Sequence, residues 1–156
     1  MAKVINYPNG DSYTGQVIDN KKHGIGAYTY KSGARYEGQF NADLKHGRGL
    51  YYFTNGDVMI GSWENDVLKP KVVYRFANMD EFEGEIKNNQ LHGLGVYRYR
   101  NKNIYQGEFQ NGQPHGQGSF LPTFVFAGIA DVSFGAEIIS NTCVNAFEQY
   151  KIVADE

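Results

Sequence analysis

A chain of 156 residues with a formal net charge of −2 has room for one domain, or for a repeat array with a small addition. It lacks the clearly basic balance that nucleic-acid binding calls for. Its 19 glycines against 4 prolines, without a three-residue period, exclude collagen, and its 15% aromatic content excludes disorder. The single cysteine, Cys143, leaves no intramolecular disulfide and no multi-cysteine metal site, and fits a reducing compartment. The start, MAKVINYPNG, carries no apolar signal core. No stretch approaches the roughly 20 apolar residues that span a bilayer, so a soluble, cytoplasmic protein is expected.

In chain order, residues 3–12 read as half a repeat: a lone strand, Lys3–Tyr7, then the turn dipeptide Asn9-Gly10. Full copies follow at a 23-residue period, starting at Tyr13, Tyr36, Met59, Phe82 and Tyr105. Two residues into each copy stands Gly15, Gly38, Gly61, Gly84 or Gly107, and two further on Val17, Phe40, Trp63, Ile86 or Phe109. His23, His46, His92 and His115 are in phase, each followed by glycine and again by glycine two residues later. Tyr28, Tyr51, Tyr74, Tyr97 and Phe120 form one aromatic column, and Tyr30, Phe53, Phe76 and Tyr99 a second. Ser32-Gly33 and Asn55-Gly56 mark later turns, with Asn78-Met79 and Asn101-Lys102 as weaker equivalents.

The copy Tyr36–Phe53, YEGQFNADLKHGRGLYYF, shows what one unit does. Alternation of Tyr36, Gly38, Phe40 and of Gly47, Gly49, Tyr51, Phe53 puts one apolar face on a two-stranded hairpin. The polar segment Asn41–His46 is expected to turn the chain. Glycines facing the aromatics leave room for rings to lie flat, so Gly38→Val is expected to crowd Tyr36 and Tyr51.

These columns resemble the MORN repeat (membrane occupation and recognition nexus), with its Y-x-G-x-F/W, polar loop and H-G-x-G. The resemblance covers about residues 5–120, and a C-terminal tail after the array is similar to the layout of short, retinophilin-like members. It implies a mainly β fold: a single-layer, twisted antiparallel array of β-hairpins. It also implies binding rather than catalysis, with cytoskeletal or motor proteins as partners, or anionic phospholipid at membranes. Such arrays also occur as accessory domains of lipid kinases and lysine methyltransferases, and this chain is too short to carry either catalytic domain.

The residues themselves offer little chemistry. Histidines one period apart are about 9.5 Å apart by strand spacing, too far to share an ion, and read as braces for the hairpin loop. Glu81, Glu83 and Glu85 alternate away from Phe82, where Arg75 and Arg98 can pair with them. Cys143 has no identifiable base nearby in sequence, and no P-loop, dinucleotide fingerprint or nucleophile elbow occurs. No catalytic residue, cofactor or metal is expected, and the chain reads as a non-enzyme.

Two binding surfaces are expected instead. The aromatic and glycine face, with Tyr28, Phe40, Tyr51, Trp63, Tyr74, Tyr97 and Phe109, is suited to a peptide or helix. Lys21, Lys22, Lys45, Arg48, Lys69 and Lys71 are expected near the hairpin loops of the first three copies, as a basic edge for anionic lipid. A homodimer is also admitted, since the expected C-terminal helix, instead of capping its own array, can dock in a partner's groove or in another copy of the chain. The third copy departs from the pattern, Lys69-Pro70-Lys71-Val72 replacing His-Gly-x-Gly. It reads as a drifted repeat with a refilled core, or as a kink with Trp63 as an anchor. Past Pro122 the phase breaks, and residues 123–156 are expected to form a cap. A degenerate strand around Phe124–Ala130 would precede an amphipathic helix starting near Ser133 and carrying Ala136, Ile139, Cys143, Phe147 and Tyr150.

Overall fold

The computed structural model describes residues 2–124, 132–133 and 136–139. The chain divides into two compact units, Met1–Ala77 and Asn78–Glu156. Both are antiparallel sheets of hairpins, and the described residues contain strands and turns but no helix.

The first unit holds β1 (Lys3–Asn6), β2 (Ser12–Ile18), β3 (Lys21–Thr29), β4 (Arg35–Asn41), β5 (Leu44–Tyr52), β6 (Val58–Glu64), β7 (Val67–Leu68) and β8 (Lys71–Arg75). Strands pair with their chain neighbours, and β6 pairs with both β7 and β8. The second unit holds β9 (Glu81–Lys87), β10 (Gln90–Arg98), β11 (Ile104–Gln110) and β12 (Gln113–Leu121), paired in order. Its tail adds β13 (Thr123–Phe124) against β14 (Val132–Ser133), and β15 (Ala136–Ile139) against β12.

Two turn types alternate. Within a copy the turn is only two residues, both left-handed: Asp19 and Asn20 at φ 49° and 61°, Ala42 and Asp43 at 47° and 74°, Asn88 and Asn89 at 51° and 60°. Positive φ at both central residues is the type I′ geometry that matches strand twist. The expected polar loop up to His46 is therefore shorter, since β5 already begins at Leu44. Between copies, Gly10, Gly33 and Gly56 take φ 93–96°. Gly10 N donates to Tyr7 O at 3.0 Å while Tyr7 N donates to Asp11 O at 2.9 Å, a three-residue loop closed by a glycine bulge. Met79 and Lys102 adopt the same left-handed conformation without glycine, at 74° and 76°.

The histidine-glycine pair sits inside the second strand of each hairpin, where the register slips. Gly38 faces Gly49, yet Phe40 faces Lys45. The glycine after the histidine absorbs the extra residues with φ 59–69° (Gly24, Gly47, Gly93, Gly116). The third copy has Pro70 at this position, and proline cannot reach positive φ. The strand therefore breaks into β7 and β8 instead of bulging.

The core is a row of rings laid over the second glycine column. Tyr13, Tyr36 and Phe82 are fully buried. A Cβ at Gly49 would come 2.5 Å from the Tyr36 ring, so only glycine leaves the ring its place. Opposite it, a Cβ at Gly38 would meet the Tyr36 hydroxyl and Gly49 Cα at 2.6 Å, so crowding falls on Tyr36 and the facing backbone, not on Tyr51. Phe40 stands edge-on to Tyr13 and Tyr36 at 5.3 and 5.2 Å, and Trp63 edge-on to Tyr36 at 5.0 Å. Phe109 repeats this against Phe82 and Tyr105 at 5.0 and 5.2 Å. In the third copy Met59 replaces the tyrosine, and Leu68 and buried Val72 cover Gly61, which is the refilled core expected of a drifted repeat.

The tail differs from expectation. Residues 136–139 form a strand that pairs Gln117 with Ile139 and Phe120 with Ala136, so no helix begins there. The unpaired edge of β12 offers backbone hydrogen bonds that outweigh a helical spacing of two apolar residues. Cys143, Phe147 and Tyr150 lie outside the described residues, as does most of the expected strand Phe124–Ala130.

Candidate interaction face

On the core face of the first unit, the side chains near the inter-copy turns form a second set of rings. Tyr7, Tyr28, Tyr30, Tyr51, Phe53, Tyr74 and Phe76 are all half-buried. Their centroids follow one another at 5.7, 4.9, 5.9, 4.8, 5.6 and 4.7 Å. Cross-strand pairing puts Tyr28 opposite Tyr13 and Tyr51 opposite Tyr36, so this ladder runs beside the buried row. In the second unit Tyr97 and Tyr99 lie at 4.8 Å, and Tyr99 and Phe120 at 6.1 Å.

Aspartates anchor the ladder. The Tyr28 hydroxyl donates to Asp11 at 2.7 Å, Tyr74 to Asp57 at 2.8 Å and Tyr97 to Asp80 at 2.7 Å. The other oxygen of each carboxylate accepts a backbone N–H one copy onward: Lys31 at 2.8 Å, Ala77 at 2.8 Å and Arg100 at 2.9 Å. Each aspartate thus ties a turn to the next hairpin with charge-assisted bonds. Burial pushes the Tyr28 hydroxyl up to about 12, and the Asp11 carboxylate adds to the rise. The same bond from Tyr28 is the main cause that lowers Asp11. Sequence reading missed this column, although Asp11, Asp57 and Asp80 are in phase and each precedes its tyrosine by 17 residues.

Two lysines complete the face. Lys22 Nζ lies over Tyr7, Tyr28 and Phe40 at 5.6, 5.2 and 6.0 Å, and bridges Asp43 at 3.4 Å. Lys45 Nζ lies over Tyr30, Tyr36 and Tyr51 at 5.7, 5.5 and 6.0 Å. The register slip causes this, because it pairs Lys45 with Phe40 on the aromatic side.

The expected contact residues therefore separate. Tyr28, Tyr51 and Tyr74 are half-buried on the ladder. Phe40, Trp63, Phe109 and Tyr97 are 4%, 5%, 2% and 8% exposed and belong to the core. Tyr7, Tyr30, Phe53 and Phe76 share the half-buried ladder with those three tyrosines. The expected basic edge also comes apart. Lys22 and Lys45 turn onto the rings, whereas Arg48 pairs with Ser62 on the opposite face. Lys21, Lys69 and Lys71 are exposed, and Lys69 lies 3.7 Å from Glu64.

Among the remaining polar groups, Arg98 reaches Glu81 and Glu83 at 3.5 and 3.3 Å, as the alternation requires. His23 Nδ1 accepts from Ala42 N of the next turn at 3.5 Å, a long bond that braces one hairpin on another.

Comparison with known proteins agrees with this geometry. The family profile described as MORN repeat matches residues 13–35, 36–58, 82–104 and 105–121, more than half of the chain. It passes over the third copy, where Pro70 breaks the strand. No curated protein sequence matches. A solved structure, the SAS-4 (dCPAP) TCP domain in complex with a proline rich motif of Ana2 (dSTIL) of Drosophila melanogaster, matches at 15% identity and a TM-score of 0.43. The match covers 76% of each chain. A likeness of that size carries nothing about function.

Proposed function

Because this chain belongs to the MORN repeat family, we propose that it is a non-enzymatic interaction scaffold that binds a partner protein or peptide through its aromatic face. One observation carries the reading: the continuous ladder of seven half-buried rings from Tyr7 to Phe76. Such rings present apolar area with fixed rotamers and polar tips, the properties of contact surfaces that bind at low entropic cost. The ordered carboxylates Asp11, Asp57 and Asp80 already serve the ladder as acceptors, which leaves them no acid–base task. A cytoplasmic location with cytoskeletal or motor partners fits this reading. The lipid alternative has weaker support, since its six basic residues do not share one side.

Two assays separate the readings. Cosedimentation with phosphatidylserine vesicles at low and moderate salt should leave the protein in the supernatant. Salt-sensitive pelleting lost on reversal of Lys21, Lys69 and Lys71 would favour the membrane reading. Affinity capture from source cells should lose its partner on Tyr30→Ser/Phe53→Ser with the melting curve preserved. Equal recovery by wild type and variant would place the binding site elsewhere.

A further inference from the structure

The aspartate anchor is missing from two copies, at Asn103, whose partner position holds Phe120 with no hydroxyl to serve, and at Ala34, whose partner position holds Tyr51. Ala34 occupies the position that Asp11, Asp57 and Asp80 hold in theirs, and Ser32 replaces the asparagine that accompanies Asp11 and Asp57. Ala34 N donates to Ser32 Oγ at 3.3 Å, so the turn closes without the carboxylate. The donors that the carboxylate would serve remain: the Tyr51 hydroxyl and the N–H of Thr54, equivalents of Tyr28 with Lys31 and of Tyr74 with Ala77. Among the described residues no carboxylate accepts from either. Over the same Tyr51 ring lies the Lys45 ammonium, which lowers the hydroxyl pKa against the larger upward effects of burial and Tyr30. Lys22, its counterpart, bridges Asp43 through its ammonium, whereas Lys45 donates to Asp66 Oδ1 from its backbone N–H at 2.7 Å and its ammonium lies over the three rings. Ala34 itself is 8% exposed and Asp57, its equivalent in the next copy, 9%, so access from solvent runs through the donors, Tyr51 being half-buried and Thr54 exposed.

We infer that this vacated position is a carboxylate subsite on the interaction face. There an aspartate or glutamate of the partner polypeptide accepts from the Tyr51 hydroxyl and Thr54 N–H beside the Lys45 ammonium. The subsite rests on the scaffold reading and sharpens it: the partner carries an acidic side chain next to the apolar residues that cover Tyr30 and Phe53. The chain itself shows the chemistry three times, with its own aspartates as ligands. A charge-assisted acceptor shielded from water discriminates strongly against its uncharged amide.

Fluorescence anisotropy with a labelled peptide of repeated Leu-Ser-Glu, and with its Leu-Ser-Gln counterpart, tests this. The wild type should bind the glutamate peptide about tenfold more tightly than the glutamine one. Ala34→Asp supplies the missing ligand from within. It should raise the melting temperature and abolish the preference while leaving glutamine-peptide binding unchanged. Tyr51→Phe and Lys45→Met, the latter resembling Leu68 and Leu91 of the same column, should each reduce the preference. Equal affinity of the wild type for both peptides, or an undiminished preference in Ala34→Asp, overturns the subsite and leaves the aromatic scaffold standing. Binding of neither peptide overturns both, and phosphatidylserine vesicles that then pellet the wild type assign the face to lipid.

Discussion

Glycine and tyrosine are complementary parts at the residue scale. Gly49 is needed for space, since an added Cβ would sit 2.5 Å from the buried Tyr36 ring. Gly33 has nothing within 4 Å but holds φ 96°. Gly49→Ala should therefore cost about 2 kcal/mol or more in urea denaturation through overpacking. Gly33→Ala should cost only about 1 kcal/mol, through a left-handed alanine. Equal losses would mean that ring packing does not set the glycine columns. Tyrosine also fixes the alkaline limit. Tyr36 is raised from 10 to about 12, first by burial and then by Asp66, so the folded state holds its proton where the unfolded chain has released it. The contribution is fully present below pH 10 and is lost between pH 10 and about 12. Stability followed by urea titration should be level up to about pH 10 and fall above it.

The two turn types and the bulge account for the element scale. Ala42 stands in a type I′ position at φ 47°, where Asp19, Asn65, Asn88 and Asn111 occupy the other copies. Ala42→Asn should stabilise the protein by about 0.5–1 kcal/mol, since asparagine tolerates this conformation better; an unchanged melting temperature would contradict the assignment. The hairpins, the glycine columns and the 23-residue phase were legible in the sequence because alternation and period are linear properties of the chain. The bulge was not. His46-Gly47 reads as loop by composition, and only the pairing of Gly38 with Gly49 and of Phe40 with Lys45 shows that it lies within a strand. That slip carries Lys45 to the aromatic side, a local effect of pairing that also puts Lys22 over rings and that composition does not reveal. Burial was also illegible: Phe40 and Tyr51 share one face and similar apolarity, yet the first lies between rings of adjacent hairpins and the second beside them. At Ala136–Ile139 helical spacing gave way to the demand of an open strand edge.

Two compact units of stacked hairpins make up the molecule, and the described strands of the first form one sheet with no second sheet over its rings. Each ring is covered by its neighbour in the next copy, so stability is shared along the stack and a single strongly altered copy is tolerated. The third copy shows this, with Leu68 and Val72 covering the glycine that a tyrosine or phenylalanine ring covers elsewhere. Individuality arises at such departures. Ala34 removes an anchor, and Pro70 divides a strand. We propose that the half-buried ladder, rather than the polar face behind it, meets the partner. Site-specific photo-crosslinking tests it most directly, with a benzophenone side chain at Tyr30 or at Tyr52. Tyr52 points to the opposite face, where Arg35 stacks on it at 4.5 Å. A crosslinked partner from position 30 and none from position 52 is the predicted result. Crosslinking from position 52 with none from position 30 would contradict the account.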